Sequence, residues 1–162
     1  MTKPSTTIIG AAGEHYVASY LSAISNYQLI IAMPRGGVPG LDLLVTKEYG
    51  GHAIRIQVKT GTLPVGKYDG QKILLWPTGW AAIERRDDYL WYAYLNLNGW
   101  PGSGKSPDIY FVPSKKVSDI IAECREDKDT RPYFWIYEDE SDRYRGDAGY
   151  RSLLAVLDGN EG

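Results

Sequence analysis

Pro39-Gly40-Leu41-Asp42-Leu43-Leu44-Val45, a polar turn, and Ala53-Ile54-Arg55-Ile56-Gln57-Val58-Lys59-Thr60 decide how this chain folds. Both apolar runs have the length and β-branched content of strands, and the link between them, Lys47 to His52, contains a Gly-Gly pair suited to the positive φ of a tight turn. The spacing predicts an antiparallel pair. Strand side chains alternate faces, so Ile54, Ile56 and Val58 share an apolar side while Arg55, Gln57 and Lys59 share the other. A hairpin partner brings Asp42 to the same edge. A carboxylate, an amide and an ammonium then meet at the rim of a Leu/Ile/Val sheet. The bland alternative is a solvated face whose charges only keep the edge soluble.

Outward from this pair, the first helix is expected from Thr6 or Ile9 to about Ile24, with Ala12, Tyr16, Val17, Tyr20, Leu21 and Ile24 at helical spacing. Tyr27 to Ala32 reads as a first strand, and Pro34 to Gly40 as a loop dense in breakers, in which Arg35 could touch a phosphate. After Lys59, residues Thr60 to Lys67 read as a loop, Gln71 to Trp76 as an extra strand, and Pro77 to Arg86 as a helix crossing the sheet. Strands are expected at Tyr89 to Leu95, Asp108 to Val112 and Tyr133 to Tyr137. Helices are expected from Ser114, as N-cap, through Cys124, and from about Ala148 to Leu157.

The order of Glu14 on a helix, Asp42 before one strand, and Gln57 and Lys59 on the next resembles the PD-(D/E)XK nuclease superfamily. Here Pro39 stands three residues before the acid, and glutamine occupies the usual Asp or Glu position, as in Gln-x-Lys variants similar to the Mrr-type restriction enzymes. The resemblance implies an α/β fold with a restriction-endonuclease-like αβββαβ core, a central mixed sheet flanked by helices. It also implies Glu14, Asp42, Gln57 and Lys59 as catalytic residues, and Mg²⁺ or Mn²⁺ held by Glu14, Asp42, the Gln57 oxygen and the Val58 carbonyl. Arg35 and Lys67 are candidate substrate contacts. The implied substrate is nucleic acid, with DNA foremost, and cutting both strands of a duplex would call for a homodimer. A nuclease-like module that binds DNA or protein without cutting is the alternative, because Gln57 brings one negative charge fewer than an acid.

Length and composition agree with one domain over residues 1–162, with an acidic C-terminal extension from about 120. Residues 1–119 hold 12 Lys/Arg against 9 Asp/Glu, whereas residues 120–162 hold 6 against 11, so a phosphate-facing surface belongs to the first part. The acidic part also admits an interaction module. The single cysteine excludes an intramolecular disulfide and a cysteine-cluster zinc site, and a reducing cytoplasm is expected. No apolar run reaches the ~18 residues of a membrane span, and no membrane association is expected.

Gly99-Trp100-Pro101-Gly102-Ser103-Gly104-Lys105-Ser106 matches the G-x-x-x-x-G-K-[ST] phosphate loop, but Pro107 and a strand follow it where that motif needs a helix N-terminus. A loop between two strands is the better expectation. His15 and His52 lack the spacing of a metal pair. The five tryptophans and thirteen tyrosines are read mainly as packing residues, with base stacking as the rival.

Overall fold

The computed structural model describes residues 5–35, 37–62, 65–124 and 131–160. Gly36 of the breaker-rich loop, Leu63 and Pro64 of the loop after Lys59, and residues 125–130 of the acidic part lie outside the described residues. Three α-helices are described: α1 (Thr6–Ile24), α2 (Ser114–Glu123) and α3 (Gly146–Leu157). The eight described strands are β1 (Leu29–Ala32), β2 (Leu43–Lys47), β3 (Ile54–Gly61), β4 (Gly66–Tyr68), β5 (Gln71–Pro77), β6 (Leu90–Asn96), β7 (Asp108–Pro113) and β8 (Tyr133–Tyr137).

A five-stranded mixed sheet runs in the order β1-β2-β3-β6-β7, and β4-β5-β8 form a second, antiparallel sheet. In the main sheet β3 and β6 are parallel and every other neighbouring pair is antiparallel. Alternation sorts the residues into two cores. Leu43, Val45, Ile54, Ile56, Val58, Trp91, Ala93, Leu95, Ile109 and Phe111 meet Val17 and Leu21 of α1 and Tyr150, Leu153 and Leu157 of α3 on one side. Tyr92, Tyr94, Tyr110 and Val112 meet α2 and the second sheet on the other. The mixed sheet is thus flanked by helices, as expected, and the acidic C-terminal part contributes β8 and α3 to these two cores.

Four local expectations change. The helix expected from Pro77 to Arg86 is a single 3-10 turn, Trp80–Ile83, since Pro77 still belongs to β5 and Gly79 caps the turn in an extended conformation. The parallel crossover from β3 to β6 therefore runs through the β4-β5 hairpin. Lys67, read as loop, lies in β4 opposite Lys72. The first strand begins at Leu29 because Asn26 and Tyr27 both have positive φ, in the turn that ends α1. Ser114 is the first residue of α2 and not its cap: its Oγ donates to Asp87 O at 2.7 Å and accepts from Asp87 N at 3.0 Å. Residues 99–106 form the loop between antiparallel β6 and β7 and lead into a strand, as expected.

Candidate active site

The site starts from where β2 stops. Its last pair with β3 is Leu43 with Ile56, and one residue earlier Asp42 N donates to Ile56 O at 3.0 Å. Gly40, at φ +74°, then turns the chain away, so no main-chain acceptor continues the ladder. The Asp42 carboxylate takes that place: Val58 N donates to Asp42 Oδ2 at 2.6 Å. This charge-assisted bond locks the acid onto β3 beside Lys59 and leaves Oδ1 for another partner. In an extended strand, N–H and C=O of one residue point to the same side, so the Val58 carbonyl also opens toward this gap.

Gln57 and Lys59 occupy the face of β3 opposite its core residues. In the parallel register Gln57 stands beside Tyr92 and Lys59 beside Tyr94. Both are half-buried, because the second layer covers β6 fully and ends at β3. Burial pushes the Lys59 ammonium below its usual range; the Asp42 charge opposes that shift, and Arg85 and Arg131 reinforce it. A cation held among two arginines and an aspartate is an anion-receiving arrangement.

Glu14 arrives from the other layer. Gly13 lies so close to β3 that a Cβ there would stand 2.0 Å from Thr60 Oγ1, and this contact sets the height of α1 over the strand. The next residue, Glu14, is half-buried, and burial first and the Asp42 charge second push its carboxyl above the usual value, with His15 opposing. The two carboxylates therefore lie within electrostatic reach of each other.

Among the described residues no group of three or more His, Cys, Asp and Glu side chains is gathered for a metal ion. The acids here are two, and the third candidate side-chain ligand is an amide. The donor set of two carboxylates, an amide oxygen and a strand carbonyl is nonetheless all hard oxygen, which suits Mg²⁺ or Mn²⁺. Gln57 Oε1, however, accepts a hydrogen bond from Arg85 Nη1 at 3.2 Å.

Arg35 is exposed in the loop before Asp42, and Lys67 is exposed on β4. Arg85, Arg131 and Tyr92 were not foreseen from the sequence. Arg85 follows the 3-10 turn in the charged run Glu84-Arg85-Arg86-Asp87-Asp88, and only the pairing of β3 with β6 shows that this run returns over Gln57. Beyond Lys59 a cleft of about 620 Å³ opens between the start of α1, the end of β3 and the second sheet, with Thr6, Thr62, Arg131 and Tyr133 on its walls.

No protein-family model matches the chain, and no curated protein matches it. Among solved structures it is similar to a bacterial homing endonuclease, I-Ssp6803I, with a TM-score of 0.54, 14% sequence identity and 95% of each chain covered. At that identity the likeness is one of fold, and it extends over nearly the whole of both chains: this chain shares the mixed α/β fold of that neighbour.

Proposed function

We propose that the chain is a divalent-cation-dependent nuclease of the PD-(D/E)XK type that hydrolyses phosphodiester bonds in DNA. The observation that carries this reading is the Asp42 carboxylate bound to the Val58 amide, one residue from a half-buried Lys59. An acid fixed beside a lysine on the uncovered face of a buried strand is poorly explained as a solubility device. The neighbour's name as an endonuclease supports a nucleic-acid substrate.

Glu14, Asp42 and the Val58 carbonyl would hold Mg²⁺ or Mn²⁺, with Gln57 adding its amide oxygen when Arg85 leaves it. When bound, such a cation polarises a phosphate oxygen and makes water more acidic. Lys59 orients the attacking water and offsets negative charge growing on phosphorus, a contribution of the kind that changes rates by ~10²–10³. Arg131 lies in the adjoining cleft, and Arg35 and Lys67 serve as outer phosphate contacts. Cleavage of both strands of a duplex would bring two copies of the site together as a homodimer. Among the described residues no helix is long and apolar enough to cross a membrane; the lone cysteine suits a reducing cytoplasm.

One observation favours a second reading. Gln57 stands where an acid would add charge, and its oxygen is already hydrogen-bonded to Arg85, as expected of a nuclease-like module that binds DNA or protein without cutting. A calorimetric titration with Mn²⁺ separates the two. The nuclease reading requires binding that Asp42→Asn removes; the absence of any such binding in the native chain would leave the binding module.

A further inference from the structure

The Arg85–Gln57 hydrogen bond determines more than a contact. A guanidinium has donors only, so the Gln57 atom facing Arg85 has to be oxygen, and the NH₂ group is turned away. In this arrangement the one ligand atom that Gln57 could give a cation is taken by a cation already. The neighbouring arginines differ: Arg55 pairs with Asp87, and Arg86 with Asp119. Among the described residues no carboxylate forms an ion pair with Arg85. Its charge is half-buried against a neutral amide.

The surroundings leave Arg85 room to move and an incentive to do so. Gly40 makes the space that the guanidinium fills, since a Cβ there would come 2.6 Å from Nη1. A depression of about 270 Å³ lined by Gly40, Arg55, Glu84, Arg85, Arg86 and Asp87 adjoins it; of its two carboxylates, Asp87 is already paired with Arg55 and Glu84 is exposed. The buried Tyr92 hydroxyl lies beside Arg85, whose charge and loose hydrogen bond oppose the upward push of burial on it, so the guanidinium's present contacts are two neutral groups, Gln57 and Tyr92. A half-buried guanidinium lacking a carboxylate partner indicates an arrangement completed by something else. A phosphate supplies what is missing: negative charge and oxygen atoms matched to the guanidinium fork.

We propose that Arg85 is a substrate-phosphate ligand that governs whether Gln57 can ligate the cation. Without nucleic acid, Arg85 holds the Gln57 oxygen; a phosphate of the bound strand draws the guanidinium off and releases that oxygen to the metal. The inference rests on the cation site proposed above. Linkage then requires reciprocity, with DNA tightening Mn²⁺ and Mn²⁺ tightening DNA.

The test is a double-mutant cycle read by calorimetry of Mn²⁺ without DNA, on the native chain, Arg85→Met, Gln57→Leu and the double variant. Arg85→Met should tighten Mn²⁺ about tenfold when Gln57 is present and clearly less when it is leucine. A second set in the Lys59→Ala background, which keeps a DNA duplex intact, should show DNA tightening Mn²⁺ with Arg85 present and losing most of that effect in Arg85→Met. Arg85→Gln serves as a second neutral variant if Arg85→Met does not fold. An equal Arg85→Met effect in both Gln57 backgrounds would mean bare charge repulsion, and would overturn this inference while leaving the nuclease reading intact. The absence of Asp42-dependent Mn²⁺ binding in every variant would overturn both.

Discussion

Strands β3 and β6 lie side by side and parallel, yet they are treated differently. From Leu90 to Leu95 every residue of β6 is buried, with α1 and α3 on one side and α2 and the second sheet on the other. On β3 only Ile54, Ile56 and Val58 are buried, and Arg55, Gln57 and Lys59 stand where the second layer has ended. The same backbone pairing thus carries a packed core on one strand and a polar site on the next. What distinguishes them is the reach of β5, β8 and α2. A covered strand answers to stability, and a half-covered one is free to hold charge for another purpose.

The largest effect should come from removing that cover. Phe134 of β8 is fully buried and stacks on Tyr94 with ring centroids 4.4 Å apart. Phe134→Ala should cost ~3–5 kcal/mol, read as a lowered urea midpoint. Lys59→Ala, on β3 beside Tyr94, should leave that midpoint nearly unchanged and reduce metal-dependent DNA cleavage by ~10²–10³, equivalent to ~2.7–4 kcal/mol of activation free energy. An urea midpoint that fell as far for Lys59→Ala as for Phe134→Ala would erase the contrast between the strands.

Gly13→Ala comes next. The added methyl overlaps Thr60 Oγ1 and stands 3.2 Å from Thr60 Cβ, so rotating Thr60 relieves only part of the clash and α1 also shifts away from β3, with an expected cost of ~1–3 kcal/mol in thermal unfolding. Because Glu14 moves with it, Mn²⁺ binding should weaken as well. A variant that loses stability but binds Mn²⁺ unchanged would detach Glu14 from the site.

The smallest effects concern pH. The Glu14 carboxyl is raised above its ordinary 4.5 in the folded chain, so the folded state holds that proton longer than the unfolded state. Stability then falls as pH rises from about 4.5 through the folded value, and the cost persists above it. Lys59 is depressed below its ordinary 10.5, so its cost is present at neutral pH and is relieved as pH rises through the folded value toward 10.5. Glu14→Gln and Lys59→Met should therefore each raise stability at pH 7, by no more than about 0.5 kcal/mol given their partial solvent exposure. The Glu14→Gln gain should vanish below pH 4.5 in thermal scans.

The contrast between β3 and β6 also explains what was legible in the sequence. The period-two pattern of residues 54–59 placed Gln57 and Lys59 on one face, because alternation is a local property of the strand. Helix α1 was legible from its apolar spacing, and Asp42 from its position before a Leu/Val run. Arg85 was not, since its approach to Gln57 depends on which strands pair across more than thirty residues of chain. The helix expected over 77–86 failed for a similar reason. Trp80, Ala82 and Ile83 have helical spacing, but β5 is drawn through Pro77 by its pairing with β8, and a single turn suffices to reach β6. Ser114 has the chemistry of a cap and spends it on Asp87 because the loop before β6 packs there.

The most direct test of the central claim is cleavage of a labelled DNA duplex with Mg²⁺ or Mn²⁺, compared between the native chain, Asp42→Asn and Gln57→Glu. Cation-dependent cleavage by the native chain is predicted, lost in Asp42→Asn and partly restored there by raised Mn²⁺, with Gln57→Glu active at lower Mn²⁺. No cleavage of linear, branched or single-stranded DNA by the native chain, with none gained in Gln57→Glu, would contradict the account.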